Sequence, residues 1–458
     1  MLTRIEIDGF KSFKDLKLDL HPFTVVAGPN ASGKSNFFDA LRFLSQLASF
    51  DLLEAVRRLR GDPSELFRRE PTGNSARTIC FAAEVLLDSE VEDAFGQKRP
   101  LKHTRVRYEL EIERQGGIGG PERLYVRHES ARPIKRTDDT WLRRSPPPHP
   151  DFVKEYARYA SGGGRSAFLE TLSDKFQVNQ DGVQGRPRPF PISKDRATAT
   201  VLSRITTATE FPHLFALRQE LASITFLQLE ATSEREPSDA LAPDELLPDG
   251  SNLAKVLARI ETETRTVERP RGDLADIRNS LTALIPGTKD LRIERDESAG
   301  RYRLFISMRG ESEFSSRVLS DGTLRVLALL TFLYDPRRRG VLLFEEPENG
   351  VHEDRLVKLI RLLRGTCSNV HGEEKIGGWL FQILVNTHSP VVLRETQLEE
   401  LVVADVVSSI DPTMHSVLRH TRMRTGVVEN AEFDFGDRER RLTRIEAERI
   451  TKGNDAAI

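Results

Sequence analysis

The sequence predicts an α/β fold in two lobes, and three observations carry that prediction. A short apolar run, residues 23–27, passes straight into a glycine-bounded loop and then into a helix pattern. Two further apolar runs, 341–344 and 381–385, stop at polar motifs, as strands buried on both faces of a parallel sheet do. Elsewhere, apolar residues alternate with charged ones at period two, the mark of half-buried strands.

Along the chain, residues 4–8 alternate, and Leu16, Leu18 and Leu20 alternate with Lys17 and Asp19. After the glycine loop, Phe37, Ala40, Leu41, Leu44 and Ala48 fall on one helical stripe. Residues 51–69 are predicted helical, with Gly61 as a stop and Asp62-Pro63 as a restart. Strand patterns cover 78–87 and 104–113. The stretch 137–197 differs in composition, with Ser145-Pro146-Pro147-Pro148, Gly162-Gly163-Gly164 and Arg186-Pro187-Arg188-Pro189. It reads as a loop-rich insertion of short helices and mobile loops. Two helices follow in 251–284, strand pieces at 291–293 and 302–308, and a long helix over 322–334. The expected division is an N-terminal lobe over 1–136 with the glycine loop and antiparallel strands, and an insertion plus helical lobe over 137–290. A C-terminal lobe over 291–429 and a charged, fraying tail over 430–458 complete it.

Composition narrows the function. The chain has 458 residues, 38% hydrophobic and 30% charged, a globular balance with apolar surface for two or three cores. Lys and Arg number 68 against 70 Asp and Glu, so bulk charge argues for neither a nucleic-acid nor a membrane binder. No apolar run approaches the roughly 18 residues of a membrane span, and the first residues carry no signal-peptide core. Two cysteines, Cys80 and Cys367, do not make a disulfide framework or a cysteine zinc cluster. A cytoplasmic chain is expected.

Gly28-Pro29-Asn30-Ala31-Ser32-Gly33-Lys34-Ser35, followed by Asn36, fits G-x-x-x-x-G-K-[ST] at every fixed position. A triphosphate needs backbone N–H groups curled around it, and glycine permits both the angles and the approach. A helix N-terminus adds partial positive charge. Lys34 would face the β and γ phosphates of ATP, and the Ser35 hydroxyl would ligate Mg²⁺. Downstream, Val341-Leu342-Leu343-Phe344 ends in Glu345-Glu346-Pro347-Glu348-Asn349-Gly350. Ligands collect at the C-terminal ends of parallel strands. Glu345 is placed as the Mg²⁺ carboxylate and Glu346 as the group that polarises the attacking water.

The order Gly9-Phe10-Lys11-Ser12-Phe13, phosphate loop, Leu319-Ser320-Asp321-Gly322-Thr323, acidic strand end, then Asn386-Thr387-His388-Ser389-Pro390 resembles an ABC-type ATPase. More narrowly, it resembles the RecF/SMC-like branch and the bacterial AAA-family ATPases related to the OLD-family module. The resemblance covers about residues 1–400. It implies a P-loop NTPase of ABC/SMC-head type. It also implies that Ser320, Asp321 and Gly322 form a signature loop completing the ATP site of a second subunit, so that ATP closes a homodimer. His388 matches the switch histidine at the γ phosphate. Gln228 is placed as the glutamine meeting Mg²⁺ and water, with a plain strand-edge glutamine as the other reading. Lys11 sits where relatives carry a basic residue near the nucleotide, with a solvated turn lysine preferred.

No heptad run lies between Lys34 and Glu345, so long-armed DNA tethering is not implied. Nor does the sequence after His388 carry the Glu and Asp-x-Asp pattern of the OLD nuclease. The expected function is a Mg-dependent ATPase acting as a dimerisation switch, with DNA or a nuclease as partner, in DNA repair or phage defence. The alternatives are an ATPase subunit energising a membrane transporter and a nucleotide-dependent scaffold. The arginine runs at 57–58, 68–69, 143–144 and 337–339 are expected to be solvated surface rather than DNA contacts.

Overall fold

The computed structural model describes residues 1–69, 75–116, 123–144, 146–160, 167–181, 188–194, 196–372, 379–411, 416–425, 442 and 444–451. Two large sheets organise it. The first has the strand order Ile224–Leu227, Gly340–Glu345, Phe381–Thr387, Phe23–Ala27, Leu401–Asp411, Ser416–Thr425. Its first five strands run parallel, and the last returns antiparallel.

The inner strands are buried on both faces, so apolar residues dominate them. Val26, Leu343 and Leu384 join one core with the helix Lys34–Leu47. Their neighbours Val25, Leu342, Phe344, Ile383 and Val385 join a second core. Successive side chains point to opposite faces, so a sandwiched sheet needs apolar residues at both, and the polar exceptions Thr24 and Gln382 are hydrogen-bonded.

The second sheet has eight antiparallel strands, in the order Arg188–Ser193, Lys175–Gln180, Leu169–Thr171, Arg123–Pro133, Arg105–Gln115, Thr78–Leu86, Leu2–Asp8, Leu16–Asp19. Ile5, Ile7, Phe81 and Leu110 are buried in the core shared with Phe37, Leu41 and Phe43, and the Phe10 and Phe43 rings stack at 5.9 Å. On this sheet the residues that alternate with them, Glu6, Glu84, Arg107 and Glu109, pair with one another. Gln382, fully buried, ties the two sheets together. Its amide donates to the carbonyls of Leu2 and His21 and accepts from the Leu2 N–H. The helices Leu253–Thr264 and Leu274–Leu284 pack on the smaller sheet of Thr288–Asp296 and Arg301–Met308 and against the helix Asp321–Leu333.

Several elements differ from expectation. The helix over 51–69 is two pieces, Leu52–Arg57 and a 3-10 turn Pro63–Leu66. Gly61, at φ 90°, separates them, and Asp62 starts the second with a Glu65 capping box. The insertion contains the short helices expected, Thr140–Arg143 and Pro150–Tyr156. It also adds three strands that widen the eight-stranded sheet, with Phe176 and Val178 buried on its core face. Glycines 162–164 and residues 186–187 lie outside the described residues, as does most of the tail after 425. The tail's helix Arg444–Thr451 is described and buries Ala447 and Ile450 in the second core, so that part docks instead of fraying. Arg144 is not solvated: it donates to the Leu20 carbonyl and pairs with Asp19, each at 2.8 Å.

Candidate nucleotide site

Strand register delivers the site. Leu227 lies opposite Phe344, Glu345 opposite Asn386, and Thr387 opposite Ala27. The C-terminal ends of four parallel strands therefore stand side by side. Gln228, Glu345, Glu346, His388 and the loop from Gly28 to Ser35 all emerge at that one end of the sheet.

The phosphate loop is tightly enclosed. At Gly28 (φ 154°) an added Cβ would lie 2.3 Å from the Ala404 carbonyl, and at Gly33 (φ 98°) 2.1 Å from the Thr421 hydroxyl. Only glycine fits either position. Thr421 donates to the Ser32 carbonyl at 3.0 Å, and Asn36 donates to the Ser12 hydroxyl at 2.9 Å, so the Gly-Phe-Lys-Ser-Phe turn and the last strand brace the loop from two sides. Asn30 is exposed, Pro29 half-buried and Ala31 at φ 63°. Lys34 is only 5% exposed, and its ammonium donates to the carbonyls of Gly28 and Pro29 at 2.7 and 2.8 Å. Burial pulls its pKa down, while Glu346 and Glu345 pull it back up. The three charges therefore share one locale. The first turn of Lys34–Leu47 carries no acidic residue, which leaves its positive end available to an anion. Among the described residues, the buried Ser32 hydroxyl has no hydrogen-bond partner. This donor set fits a polyphosphate.

The acidic strand end is held through its backbone. Glu345 accepts from the Asn386 amide at 2.9 Å. Glu346 adopts φ 51°, a conformation costly for a residue with a side chain and found where structure overdetermines it. Its N–H donates to the Asn386 carbonyl at 2.8 Å, and Asn349 donates to its carboxylate. Arg325 donates to the carbonyls of both Glu345 and Glu346, with its guanidinium 5.2 Å from the Phe344 ring centre. Glu348 accepts from the Thr387 hydroxyl at 2.9 Å and from the His388 N–H at 3.1 Å, which staples the histidine turn to the acidic loop. The His388 ring is exposed, as is Gln228, whose N–H donates to the Pro248 carbonyl. Ser35, Glu345 and Gln228 offer a hydroxyl, a carboxylate and an amide oxygen, hard ligands suited to Mg²⁺. Among the described residues, no group of three or more His, Cys, Asp or Glu could hold a metal alone, so phosphate oxygens and water would complete the shell.

The signature residues open the helix Asp321–Leu333. Ser320 caps it, accepting from the Thr323 N–H at 3.2 Å. Asp321 pairs with Arg235 of the short helix Ala231–Arg235. Gly322 makes its close approach within the chain: a Cβ there would lie 2.6 Å from the Gly350 carbonyl. Glycine at this position thus seats the signature helix on the acidic loop, a use its sequence did not announce.

Lys11 is corrected too. It is not a solvated turn lysine but pairs with Asp39 at 2.6 Å, 14% exposed, with Arg60 on the same carboxylate. Arg325, Glu348 and Thr421 went unnoticed in the sequence. Glu348 stands inside the acidic motif, whereas Arg325 lies past the end of the Leu319–Thr323 motif and nothing local marks Thr421.

The family described as "AAA domain, putative AbiEii toxin, Type IV TA system" matches residues 23–394, from the phosphate-loop strand to beyond His388. The chain is 49% identical over 57 residues to the chromosome partition protein Smc of Methanocaldococcus jannaschii, covering 12% of this chain and 5% of that protein. It is 28% identical over 125 residues to the DNA replication and repair protein RecF of Lactococcus lactis subsp. cremoris, covering 27% of each. The chain thus spans only a small part of the length of these relatives. Among solved structures, an Smc head bound to the C-winged helix domain of ScpA is 15% identical, with TM-score 0.47 over 93% of this chain and 97% of that one. An Smc head with an extended coiled coil from Pyrococcus furiosus is 12% identical, with TM-score 0.45 over 93% and 96%.

Proposed function

The chain belongs to that AAA-domain family of ABC/SMC–RecF-like ATPases, and from this premise we propose that it hydrolyses ATP between Lys34 and the acidic pair. The observation that carries the reading is the convergence of Lys34, Glu345 and Glu346 on one end of the parallel sheet, close enough for both carboxylates to oppose the lowering of the lysine's pKa by burial.

In this reading the loop N–H groups and Lys34 bind the triphosphate, and Ser35 and Glu345 hold Mg²⁺, with Gln228 facing the same locale. Bound Mg²⁺ supplies positive charge against the phosphate oxygens. Glu346, its backbone fixed by Asn386 and Arg325, takes the proton of the attacking water. His388, held through Glu348, faces the γ phosphate. Ser320 and Gly322 complete the site of a second copy, so ATP closes a homodimer and hydrolysis reopens it. The output acts on DNA or a nuclease partner, in genome maintenance or phage defence. The Smc and RecF matches and the family description support that direction. Among the described residues no helix is long and apolar enough to cross a membrane.

Glu346→Gln tests this. Phosphate release should fall by about 100-fold or more while ATP is still bound, and light scattering should show dimer persisting with ATP. Wild-type protein that ignores Mg-ATP, or a variant that turns over normally, defeats the reading.

A further inference from the structure

The short helix Ala231–Arg235 follows the Gln228 strand end in the chain and packs against the signature helix. Its last residue, Arg235, grips the signature turn, donating to the Leu319 carbonyl at 2.9 Å and pairing with Asp321. The residue before it does something different. Glu234 is 3% exposed, and neither of its carboxylate oxygens has a hydrogen-bond partner among the described residues. It is pressed against Gly250, where an added Cβ would lie 2.8 Å from Oε1. A buried carboxylate with no donor is costly. Burial pushes its pKa up to about 7, with Asp321 and Asp249 adding to the rise and Arg325 and Arg235 opposing it.

Arg325, on the neighbouring signature helix, has the complementary deficit. Its Nε is buried without a partner, while Nη2 holds the Glu345 and Glu346 carbonyls. Glu234, Glu346, Glu348 and Glu345 all act on its charge. A buried carboxylate and the buried Nε of a half-buried guanidinium, each with an unmet need, therefore lie on two elements in contact.

We propose that Glu234 is a positioning residue: a small slide of the signature helix against Ala231–Arg235 joins the Arg325 Nε–H to the Glu234 carboxylate, and the other arm of Arg325 carries that slide to Glu346. The desolvation cost of both groups is already present before the slide, so the new charge-assisted bond recovers part of it. The Ser320–Gly322 turn begins the same helix, so whatever docks there moves Arg325 with it. This rests on Glu346 being the hydrolytic base.

The test is a double-mutant cycle of Glu234→Gln and Arg325→Gln in the full chain, read by ATP turnover and by amide hydrogen exchange over residues 345–349. Each single variant should lower kcat by about tenfold, and the pair should be no slower than the worse single variant. KM for ATP should stay within about twofold, since the loss falls on the chemical step. Exchange over 345–349 should rise in each variant, and not further in the pair. Additive losses, or Glu234→Gln with wild-type turnover and exchange, overturn the proposal. If the wild-type chain shows no turnover, the ATPase reading fails on its own, and the exchange cycle still decides whether the pair is coupled. Should Gln at 234 unfold the chain, Glu234→Met removes the charge at similar volume and serves in its place.

Discussion

Replacing Gly322 with alanine is the sharpest test of how the signature helix is seated. The new Cβ would lie 2.6 Å from the Gly350 carbonyl oxygen and 2.8 Å from the Gly350 Cα. Both are backbone atoms, so no side chain can swing aside. Gly350 itself sits at φ 84° and cannot relax cheaply. Overpacking of this kind costs about 1–3 kcal/mol, against a helix-propensity gain for alanine of up to about 1 kcal/mol. The net loss should be about 1–2 kcal/mol. An internal control exists in Gly365, within the helix Glu353–Thr366, where an added Cβ meets nothing within 4 Å. Gly365→Ala should gain about 0.5–1 kcal/mol. Urea denaturation followed by far-UV circular dichroism measures both. Gly322→Ala should also slow turnover, since relief of the clash must shift the loop that carries Glu346. If Gly322→Ala is as stable as wild type, or gains like Gly365→Ala, the helix does not rest on Gly350 and the argument fails.

Four further outcomes are expected. Asn386→Asp sets a second carboxylate where an amide now donates to Glu345; the Mg²⁺ concentration for half-maximal turnover should change several-fold, and an unchanged titration would count against Glu345 as the metal carboxylate. Thr387→Val removes the hydroxyl bonded to Glu348 and should cost about 0.5–1.5 kcal/mol in urea denaturation, with no loss meaning that the staple is not formed. Gly33→Ala should abolish ATP-analogue binding in a calorimeter, and adding Thr421→Ala should not restore it, because φ 98° remains; full rescue would show that the clash alone was at fault. Glu129 is fully buried, accepts from the Val201 and Leu202 N–H groups, and has its pKa pushed up by burial to about 7 from 4.5. Its neutral form favours the fold, so its contribution is complete below pH 4.5 and lost as pH rises through about 7. Glu129→Gln should flatten the decline of unfolding free energy across that window, measured by urea titration at stepped pH, and an unchanged slope would refute the burial argument.

Legibility tracked locality. Lys34 and Ser35 could be read because the loop's chemistry is written in consecutive residues, and an apolar strand before it and an amphipathic helix after it are local patterns. The edge strands within 137–197 were harder, since strands of three to six residues in a segment rich in Pro and Gly carry little periodicity of their own. Arg144 shows the same limit, because an exposed and a buried arginine look alike until Asp19 and the Leu20 carbonyl are found beside it.

By itself the sequence determined the elements whose side chains alternate or repeat, the glycine loop, and the acidic ending of the strand Gly340–Glu345. It could do so because backbone periodicity and the demands of a phosphate act within a few residues. Only the tertiary structure decided that Asn386 anchors Glu346, that Gly322 rests on Gly350, and that Glu234 faces Arg325. Those pairings join residues distant in the chain, and parallel register and helix packing, which no local pattern encodes, bring them together.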